Sequence, residues 1–427
     1  MVESRQLRDR LLEEIMTIPA VDVHSHVPAA QPFARSLRDL LGYHYYTELA
    51  HSSGLAKDAL APERPDEEMI PALLDALENI TNTAQYSWLI ELAQACFGFD
   101  QPRLTADNWQ PLAAAVAARA EEPGRARAIM ERSRIERVFL TNNFDEDLTG
   151  IDTGLFVPCL RADTLVFGLG DPAVRQALEA TSGVPLTGAK SFKRALGVVV
   201  ERFRAAGAKS LAISLPPNFV ASVPGDSEFK RALRAAMRGD GLGLDEQQAL
   251  QSGALFALAA LCADCDLPFQ VMCGALRNAY AHGVHQGRDL PHAGDSLHGL
   301  LPLLNAFPQV TFSLSVLSES QTQELNSYGW ILQNVVLSGH WWYLNVPEYI
   351  AFDLGARLQS VPKNKLIGYY SDMYKLEFGL AKFNMYRRVL AHVLAGHFVE
   401  AGMSTEEDAL AVARLLLRDN AIRIFRL

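Results

Sequence analysis

Two histidines separated by one residue stand near the start of the chain, in the segment Val21-Asp22-Val23-His24-Ser25-His26. Side chains two residues apart on an extended strand project to the same face, so His24 and His26 would lie side by side. Two imidazoles on one face suit a divalent metal ion. The same spacing also fits a pair of hydrogen-bonded surface histidines, so a metal site requires a further ligand.

A carboxylate follows the last predicted strand, in the sequence Tyr369-Tyr370-Ser371-Asp372. The last strand of a closed barrel neighbours the first, so Asp372 could reach an ion held by His24 and His26. An aspartate at this position could instead cap the N-terminus of a helix. Taken as a ligand, Asp372 completes a site for one divalent ion.

Eight short, mostly apolar runs recur along the chain, each followed by loop and helical sequence. They are Ala20–His24, Arg137–Thr141, Leu155–Leu160, Ser210–Leu215, Pro268–Cys273, Gln309–Leu314, Asn334–Ser338 and Lys365–Tyr370. Near-continuous apolar runs are typical of parallel strands covered on both faces, and their alternation with helices predicts an α/β fold, a (β/α)8 TIM-like barrel. Active sites of such barrels lie at the C-terminal ends of the strands, which is where both histidines and Asp372 fall.

The spacing of the strands predicts three parts of the chain. Residues 1–26 form an N-terminal helix and the first strand, and residues 27–136 form a mostly helical insertion beside the barrel mouth. Residues 137–427 supply the remainder of the barrel and its C-terminal helices.

Composition excludes several classes of protein. The chain has 427 residues, is 49% hydrophobic and carries a net charge of −10, which indicates a globular protein and argues against nucleic-acid binding. No run of eighteen apolar residues predicts a membrane span, and the charged N-terminus is unlike a signal peptide. Five cysteines are few, and the Cys262–Cys265 pair lies in helical sequence, so we expect core thiols and a cytoplasmic location.

The middle strands lack metal ligands. A metal hydrolase on this scaffold usually takes histidines from strands five and six, but here those strands end in Met272-Cys273-Gly274 and Ser313-Leu314-Ser315. A single metal with open coordination positions would leave room for a chelating substrate.

The sequence resembles the uronate isomerases of the amidohydrolase superfamily over nearly its whole length, and in particular a divergent bacterial branch that also lacks a histidine on strand five. The resemblance rests on motifs in the family's order, at residues 22–26, 41–45, 139–143, 160–163, 214–217, 339–343 and 371–372. The Tyr-His-Tyr of the second motif and the tandem tryptophans of the sixth are more specific than the paired histidines alone.

The resemblance implies a metal-dependent aldose–ketose isomerase that interconverts glucuronate or galacturonate and the corresponding ketouronate, fructuronate or tagaturonate. His24, His26 and Asp372 would hold one divalent ion, with zinc expected and manganese as the alternative. Arg161 would bind the sugar carboxylate through both guanidinium nitrogens, although a solvated arginine at the rim remains open.

Further roles follow from the same resemblance. Asp372 would take the C2 proton, with His44 or Tyr45 moving the hydroxyl proton, although a tyrosine there could simply pack. One indole of Trp341 and Trp342 could stack on a sugar face, the other belonging to the core.

One position departs from the family. Its members usually have an arginine two residues after the final aspartate, whereas this chain has Tyr374. Arg277 is the candidate replacement for that cation. A metal-dependent hydrolase or lactonase acting on a similar sugar acid, and a non-catalytic sugar-acid binder, are the alternatives. In each case we expect a small sugar acid as the ligand and a homo-oligomer, with no nucleic acid or membrane as a partner.

Overall fold

The computed structural model describes residues 2–223 and 225–427, in which parallel strands alternate with helices. The strands are β1 (Ala20–Asp22), β2 (Ile135–Phe139), β3 (Asn142–Asn143), β4 (Phe156–Val157), β5 (Leu160–Arg161), β6 (Leu211–Leu215), β7 (Phe269–Cys273), β8 (Ala275–Leu276), β9 (Leu290–Pro291), β10 (Phe312–Val316), β11 (Val335–Ser338) and β12 (Leu366–Ile367).

The α-helices are α1 (Val2–Thr17), α2 (Leu37–Leu41), α3 (His44–Ser52), α4 (Asp66–Leu77), α5 (Ala84–Phe97), α6 (Trp109–Ala120), α7 (Arg125–Ser133), α8 (Asp163–Phe167), α9 (Pro172–Ser182), α10 (Ala189–Ala205), α11 (Asp226–Arg238), α12 (Leu244–Cys265), α13 (Leu301–Ala306), α14 (Thr322–Ile331), α15 (Pro347–Ser360), α16 (Glu377–Leu394), α17 (Glu406–Arg414) and α18 (Asn420–Phe425). Single 3₁₀ turns occupy Lys57–Leu60, Glu78–Ile80, Leu297–Leu300, Glu319–Gln321, Trp342–Leu344 and Lys363–Lys365, and π-turns occupy Ala395–Val399 and Leu415–Asp419.

Ten of the strands form two adjoining parallel sheets, and β8 and β9 form a separate antiparallel pair. One parallel sheet has the order β1-β2-β4 and the other the order β12-β11-β10-β7-β6-β5-β3. Between the two sheets, Leu140 N–H donates to Val157 C=O (2.9 Å) and Asn142 N–H donates to Cys159 C=O (2.9 Å). These bonds join the segment that carries β2 and β3 to the segment that carries β4 and β5, and so connect the two sheets.

The last and first strands are linked just beyond their ends. Asp372 N–H donates to His24 C=O (3.1 Å), and His26 N–H donates to Met373 C=O (2.8 Å). The carboxylate of Asp22 accepts from Ser371 N–H (2.9 Å) and from the Ser371 hydroxyl. We call this set of bonds the seam. It links residues 22–26 to residues 371–373, as the predicted barrel requires.

The sequence pattern predicted the strand positions better than their ends. Each of the eight predicted runs overlaps a strand, and the parallel α/β class is confirmed. The run Leu155–Leu160 holds β4 and the first residue of β5. The first strand stops at Asp22, two residues before the predicted end at His24, because the backbone groups of His24 and His26 bond across the seam.

Helices α2 to α7 lie between β1 and β2, and local signals fix where the first of them begin. The Ser36 hydroxyl accepts from Asp39 N–H, and the Asp39 carboxylate accepts from Ser36 N–H, which is a complete capping box. The chain turns at Gly42, and α3 then begins at His44. The short α2 and its cap therefore determine where His44 enters the structure.

Helix α12 is long and apolar enough to cross a membrane by length and composition. However, 56% of that apolar stretch is buried inside the protein, and ten of its residues pack in the interior. This is the pattern of a core helix that touches other elements on most sides.

Gly339 follows β11 and lies two residues before Trp341. Its φ of 37° is in the left-handed region. A Cβ there would lie 2.1 Å from the Tyr370 ring. Gly339→Ala should therefore lower the free energy of unfolding by about 2–4 kcal/mol, from overpacking and backbone strain together.

Urea unfolding checks this value, with Gly396→Ala as the matched control. A Cβ at Gly396 meets no atom within 4 Å, so its substitution should change stability by about 1 kcal/mol or less. Equal stability of the two variants would contradict the close packing of Tyr370 on Gly339.

Candidate active site

Three predicted ligands come together at the seam. His24 Nε2 lies 3.5 Å and His26 Nε2 lies 3.3 Å from Asp372 Oδ1. One potential ligand atom from each residue lies within 4.8 Å of the others. The two imidazoles are nearly perpendicular, with ring centroids 5.2 Å apart. This is the only such group of three or more His, Cys, Asp or Glu side chains in the described part of the chain.

Two features of the group fit a metal ion. Asp372 Oδ1 is buried and has no hydrogen-bond partner among the described residues. Burial also lowers the pKa of His24, which favours the neutral imidazole that a metal requires. Two nitrogens and one oxygen suit a divalent metal ion that keeps further coordination positions open.

The tautomer of His26 is set by a neighbouring hydroxyl. Thr141 Oγ1 donates to the carbonyl of Ser25 (2.9 Å) and lies 2.8 Å from His26 Nδ1. Since the single hydroxyl proton is used on Ser25, Thr141 accepts from Nδ1–H. The lone pair of His26 is thereby placed on Nε2, the atom that faces Asp372. Outer hydrogen bonds of this kind orient metal-ligating histidines in general.

Asp372 has an unusual backbone. Its φ of 54° lies in the left-handed region, and its carbonyl accepts from the Tyr43 hydroxyl (2.8 Å). Burial opposes ionisation of this carboxyl, but the adjacent imidazoles of His24 and His26 outweigh burial and hold the pKa of Asp372 well below its usual range. Asp372 is therefore a carboxylate at neutral pH.

The group opens into a cavity of about 200 Å³. Eight of the predicted site residues line this cavity, together with two that the sequence did not indicate: His26, His44, Arg161, Arg277, Trp341, Trp342, Asp372 and Tyr374, with Gln286 and Asp289. A larger hollow of about 620 Å³ lies near the N-terminal ends of β1 and β2, around Arg134 and Arg137, away from the ligand group. Size alone therefore does not identify the site.

His44 and Tyr45 occupy different places. His44 Nδ1 lies 2.8 Å from Glu48 Oε1 one helical turn away, and its ring packs edge-on against Trp342 at 5.3 Å. Glu48 therefore orients His44 in the cavity wall. Tyr45 stacks behind His44 at 4.4 Å and packs against Trp88, and it is not among the residues that line the cavity.

The two predicted arginines differ in their partners. Arg161 Nε lies 3.5 Å from an oxygen of Asp163, and 40% of its side chain is exposed. Arg277 makes a shorter ion pair with Asp289 (2.6 Å) and donates to the Ser214 hydroxyl (3.1 Å). Asp289 thus balances the charge of Arg277, a partner that the sequence did not reveal.

Both tryptophans are buried and both line the cavity, although the sequence suggested that only one would contact a sugar. Trp342, with φ of 43°, stacks on Tyr343, and the Tyr343 hydroxyl donates to the Asp289 carbonyl (2.7 Å). The tryptophan segment and the loop that carries Asp289 therefore support one another. Tyr374 completes this wall beside His26, with ring centroids 5.0 Å apart.

Comparison with known proteins identifies the family of the chain. The family model described as glucuronate isomerase matches residues 2–421. This chain belongs to the glucuronate isomerase family. The predicted resemblance is thereby confirmed, while its narrower form, a divergent bacterial branch, stays a prediction.

Relatives of this family member align along most of their length. A uronate isomerase from Rhizorhabdus wittichii is 25% identical, over 95% of this chain and 92% of the relative. The crystal structure of a uronate isomerase from Thermotoga maritima superposes with a TM-score of 0.90 at 18% identity, covering 98% of this chain and 97% of that one. A glucuronate isomerase from Caulobacter crescentus also gives 0.90, at 22% identity, covering 99% and 94%. These structures share the fold of this chain.

The role of Thr141 in orienting His26 gives a prediction for metal binding. Thr141→Val removes the acceptor for Nδ1–H while keeping the shape of the side chain. The affinity for Zn²⁺ should fall by about 10- to 100-fold, as is typical when such outer partners are lost. Competition titration of the metal-free protein with a chromophoric chelator measures this change.

Thr322→Val is the control, because the Thr322 hydroxyl donates only to the local Glu319 carbonyl (2.8 Å) and lies far from the ligand group in sequence. Its Zn²⁺ affinity should match that of the unaltered protein. Unchanged affinity in Thr141→Val would show that His26 does not need this hydroxyl for orientation.

Proposed function

We propose that the protein interconverts a hexuronate and its ketouronate, as an aldose–ketose isomerase that depends on one divalent metal ion. The observation that carries the proposal is the position of the His24, His26 and Asp372 group beside a polar cavity that also contains Arg161 and His44. Membership of the glucuronate isomerase family supports the same reaction.

The cavity suits a small polar molecule. Its volume of about 200 Å³ is below the range of roughly 300–1,000 Å³ that is common for drug-sized ligands. A cationic group and a potential metal group both border it, which matches a short sugar acid with a carboxylate at one end. Arg161 would hold that carboxylate by two parallel hydrogen bonds.

The proposed metal is zinc, with manganese as the alternative, on His24, His26 and Asp372. When bound, the ion would polarise the carbonyl and the adjacent hydroxyl of the open-chain sugar and stabilise negative charge on their oxygens. Asp372 would accept the proton from C2 and return it to C1. Its ionised state at neutral pH meets the first requirement of a general base.

His44 would move the proton between the two sugar oxygens. Because Nδ1 lies against the Glu48 carboxylate, Nε2 is the nitrogen left for the substrate. Tyr45 lies behind His44, so we assign it to packing rather than to proton transfer. The two indoles and Tyr374 would cover the sugar and limit the entry of water.

The hydrolase or lactonase alternative has no specific support. The described residues supply no middle-strand histidine to the ligand group, and the family model is that of an isomerase. The two reactions differ in mass balance, since hydrolysis adds water and isomerisation does not. Mass spectrometry of the product separates them directly.

The purified protein loaded with Zn²⁺ or Mn²⁺ should convert glucuronate or galacturonate to the ketouronate without change of mass. If Asp372 carries the proton, the reaction in D₂O should place solvent deuterium at C1 of the ketouronate. NMR of the product measures both outcomes. Product without deuterium would favour a hydride shift, and no conversion of either uronate would contradict the proposed function.

Arg161 provides a test of substrate orientation. Its ion pair and paired hydrogen bonds to a carboxylate should be worth roughly 2–4 kcal/mol in a partly dry cavity. Arg161→Ala should therefore lower kcat/KM for the uronate by about 30- to 1,000-fold, and Arg161→Lys should restore only part of the loss.

The control removes a second arginine without changing the net charge of the cavity. In Arg277→Ala/Asp289→Ala both members of the ion pair are lost, and kcat/KM should fall less than in Arg161→Ala. A larger loss in the double variant would assign the carboxylate to Arg277 instead.

Three wider expectations belong to the same proposal. We expect a small sugar acid as the physiological ligand, a homo-oligomer in solution and a cytoplasmic location. Light scattering coupled to size-exclusion chromatography measures the oligomeric state.

A further inference from the structure

Lys382 on α16 is a fully buried lysine, with none of its surface exposed. It does not line the cavity, and the described residues place no carboxylate within ion-pair distance of it. A buried ammonium is costly unless other groups replace its lost water. The burial of Lys382 close behind the site therefore requires contacts that compensate for the lost water.

Five contacts surround this ammonium. Lys382 Nζ donates to the Ser371 carbonyl (2.6 Å) and to the Tyr43 hydroxyl (2.8 Å). The rings of Tyr43, Tyr45 and Trp88 face it, with centroids at 5.0, 4.7 and 4.8 Å. Aromatic faces attract a cation through their negative quadrupole. Burial lowers the pKa of Lys382 to about 7, whereas the charges of Asp372 and Asp22 favour the ammonium.

The two hydrogen bonds lead to the same residue. Lys382 holds the Ser371 carbonyl directly, and this carbonyl belongs to the peptide group that enters Asp372. The Tyr43 hydroxyl accepts from Lys382 and donates to the carbonyl of Asp372 (2.8 Å), which belongs to the peptide group that leaves it. Lys382 therefore restrains the backbone on both sides of Asp372.

Asp372 needs such restraint because of its left-handed φ of 54°. The left-handed conformation costs free energy for a residue with a side chain, and contacts to the adjoining peptide groups offset that cost. The seam fixes the N–H of Asp372 through His24, but it leaves the two carbonyls to other donors. Lys382 and Tyr43 are those donors.

We propose that Lys382 is a positioning residue, which aims the Asp372 carboxylate at the two histidines by holding the peptide groups on either side of it. The proposal rests on the proposed function in taking Asp372 as a metal ligand and base. Lys382 itself touches neither the cavity nor the ligand atoms.

A second lysine in the chain provides a matched control. Lys365 Nζ also donates to two backbone carbonyls, those of Gly329 and Leu332, both at 2.6 Å. It lies just before β12, at the opposite end of the strand from Asp372. Methionine in either place keeps a long unbranched side chain and removes the charge and the hydrogen bonds.

The experiment compares Lys382→Met with Lys365→Met in two assays. Co²⁺ titration of the metal-free proteins reports the ligand group without any turnover, and steady-state kinetics on the uronate separate kcat from KM. Lys382→Met should bind Co²⁺ at least about tenfold more weakly and lower kcat by at least about tenfold. Its KM should stay within about threefold, because Arg161 is untouched. Lys365→Met should change both assays by less than about twofold.

A double variant tests the route of the effect. If Lys382 acts through Asp372, Lys382→Met should weaken Co²⁺ binding by less than about twofold in an Asp372→Asn background. An undiminished effect in that background would overturn the proposal. Equal Co²⁺ affinity and equal kcat in Lys382→Met and Lys365→Met would overturn it as well.

Tyr43→Phe covers the case in which Lys382→Met does not fold. It removes the link to the Asp372 carbonyl and leaves the Ser371 bond, so a smaller loss of Co²⁺ affinity and kcat should follow. Affinity and kcat equal to those of the unaltered protein would count against the proposal. If the unaltered protein fails to isomerise either uronate while Lys382→Met still loses Co²⁺ affinity, the proposed function fails and the positioning role stands.

Discussion

The seam joins two segments that are distant in sequence, since Asp22 and Ser371 are 349 positions apart. Its bonds are made by backbone groups of His24, His26, Asp372 and Met373, together with the Asp22 carboxylate. The backbone of each predicted ligand is therefore held by a hydrogen bond to the opposite segment of the seam. If the seam opened, the two histidines and the carboxylate would separate together, so the metal group and the linkage of the last strand to the first are one structural feature.

Buried ionisable side chains lie around the seam and hydrogen-bond to the backbone near it. Burial raises the pKa of Asp22 to about 6, although the Ser371 hydrogen bonds oppose this shift. Lys382 lies on the other side of Ser371. Farther away, Arg357 donates to the Gly339 carbonyl (3.0 Å) and pairs with Asp353 (2.7 Å), which holds the turn before Trp341. Charged side chains that are not predicted metal ligands therefore hold two backbone segments of the site. One carries Asp372, and the other precedes Trp341.

The sequence predicted the parts of the site that follow strands. His24, Arg161, Trp341 and Asp372 each lie at or just after the end of a predicted strand, and parallel strands bring such positions to one edge. Helical spacing could also have revealed Glu48, four residues after His44. Lys382 carried a signal too, because the apolar periodicity of α16 places this charge on the buried face.

Other parts could not be predicted from the sequence, for a physical reason. Gln286 and Asp289 lie between β8 and β9, in a loop that has no hydrophobic period and whose path depends on tertiary contacts. Only the structure shows that Asp289 balances Arg277. The end of the first strand was also missed, because the backbone groups of His24 and His26 bond to residues 372 and 373 across the seam, which the side-chain pattern does not record.

The Arg277 and Asp289 pair changes how the departure at Tyr374 is understood. An arginine neutralised at 2.6 Å adds little net charge to the cavity, so Arg277 does not simply replace the cation that the family usually places after the aspartate. Burial raises the pKa of Tyr374, so its phenol stays neutral and can donate a single hydrogen bond. A neutral donor suits a sugar hydroxyl or carbonyl better than a carboxylate. Under the proposed function, the substrate carboxylate would then lie on the side of Arg161, and the carbon atoms that react would lie toward His26 and Asp372.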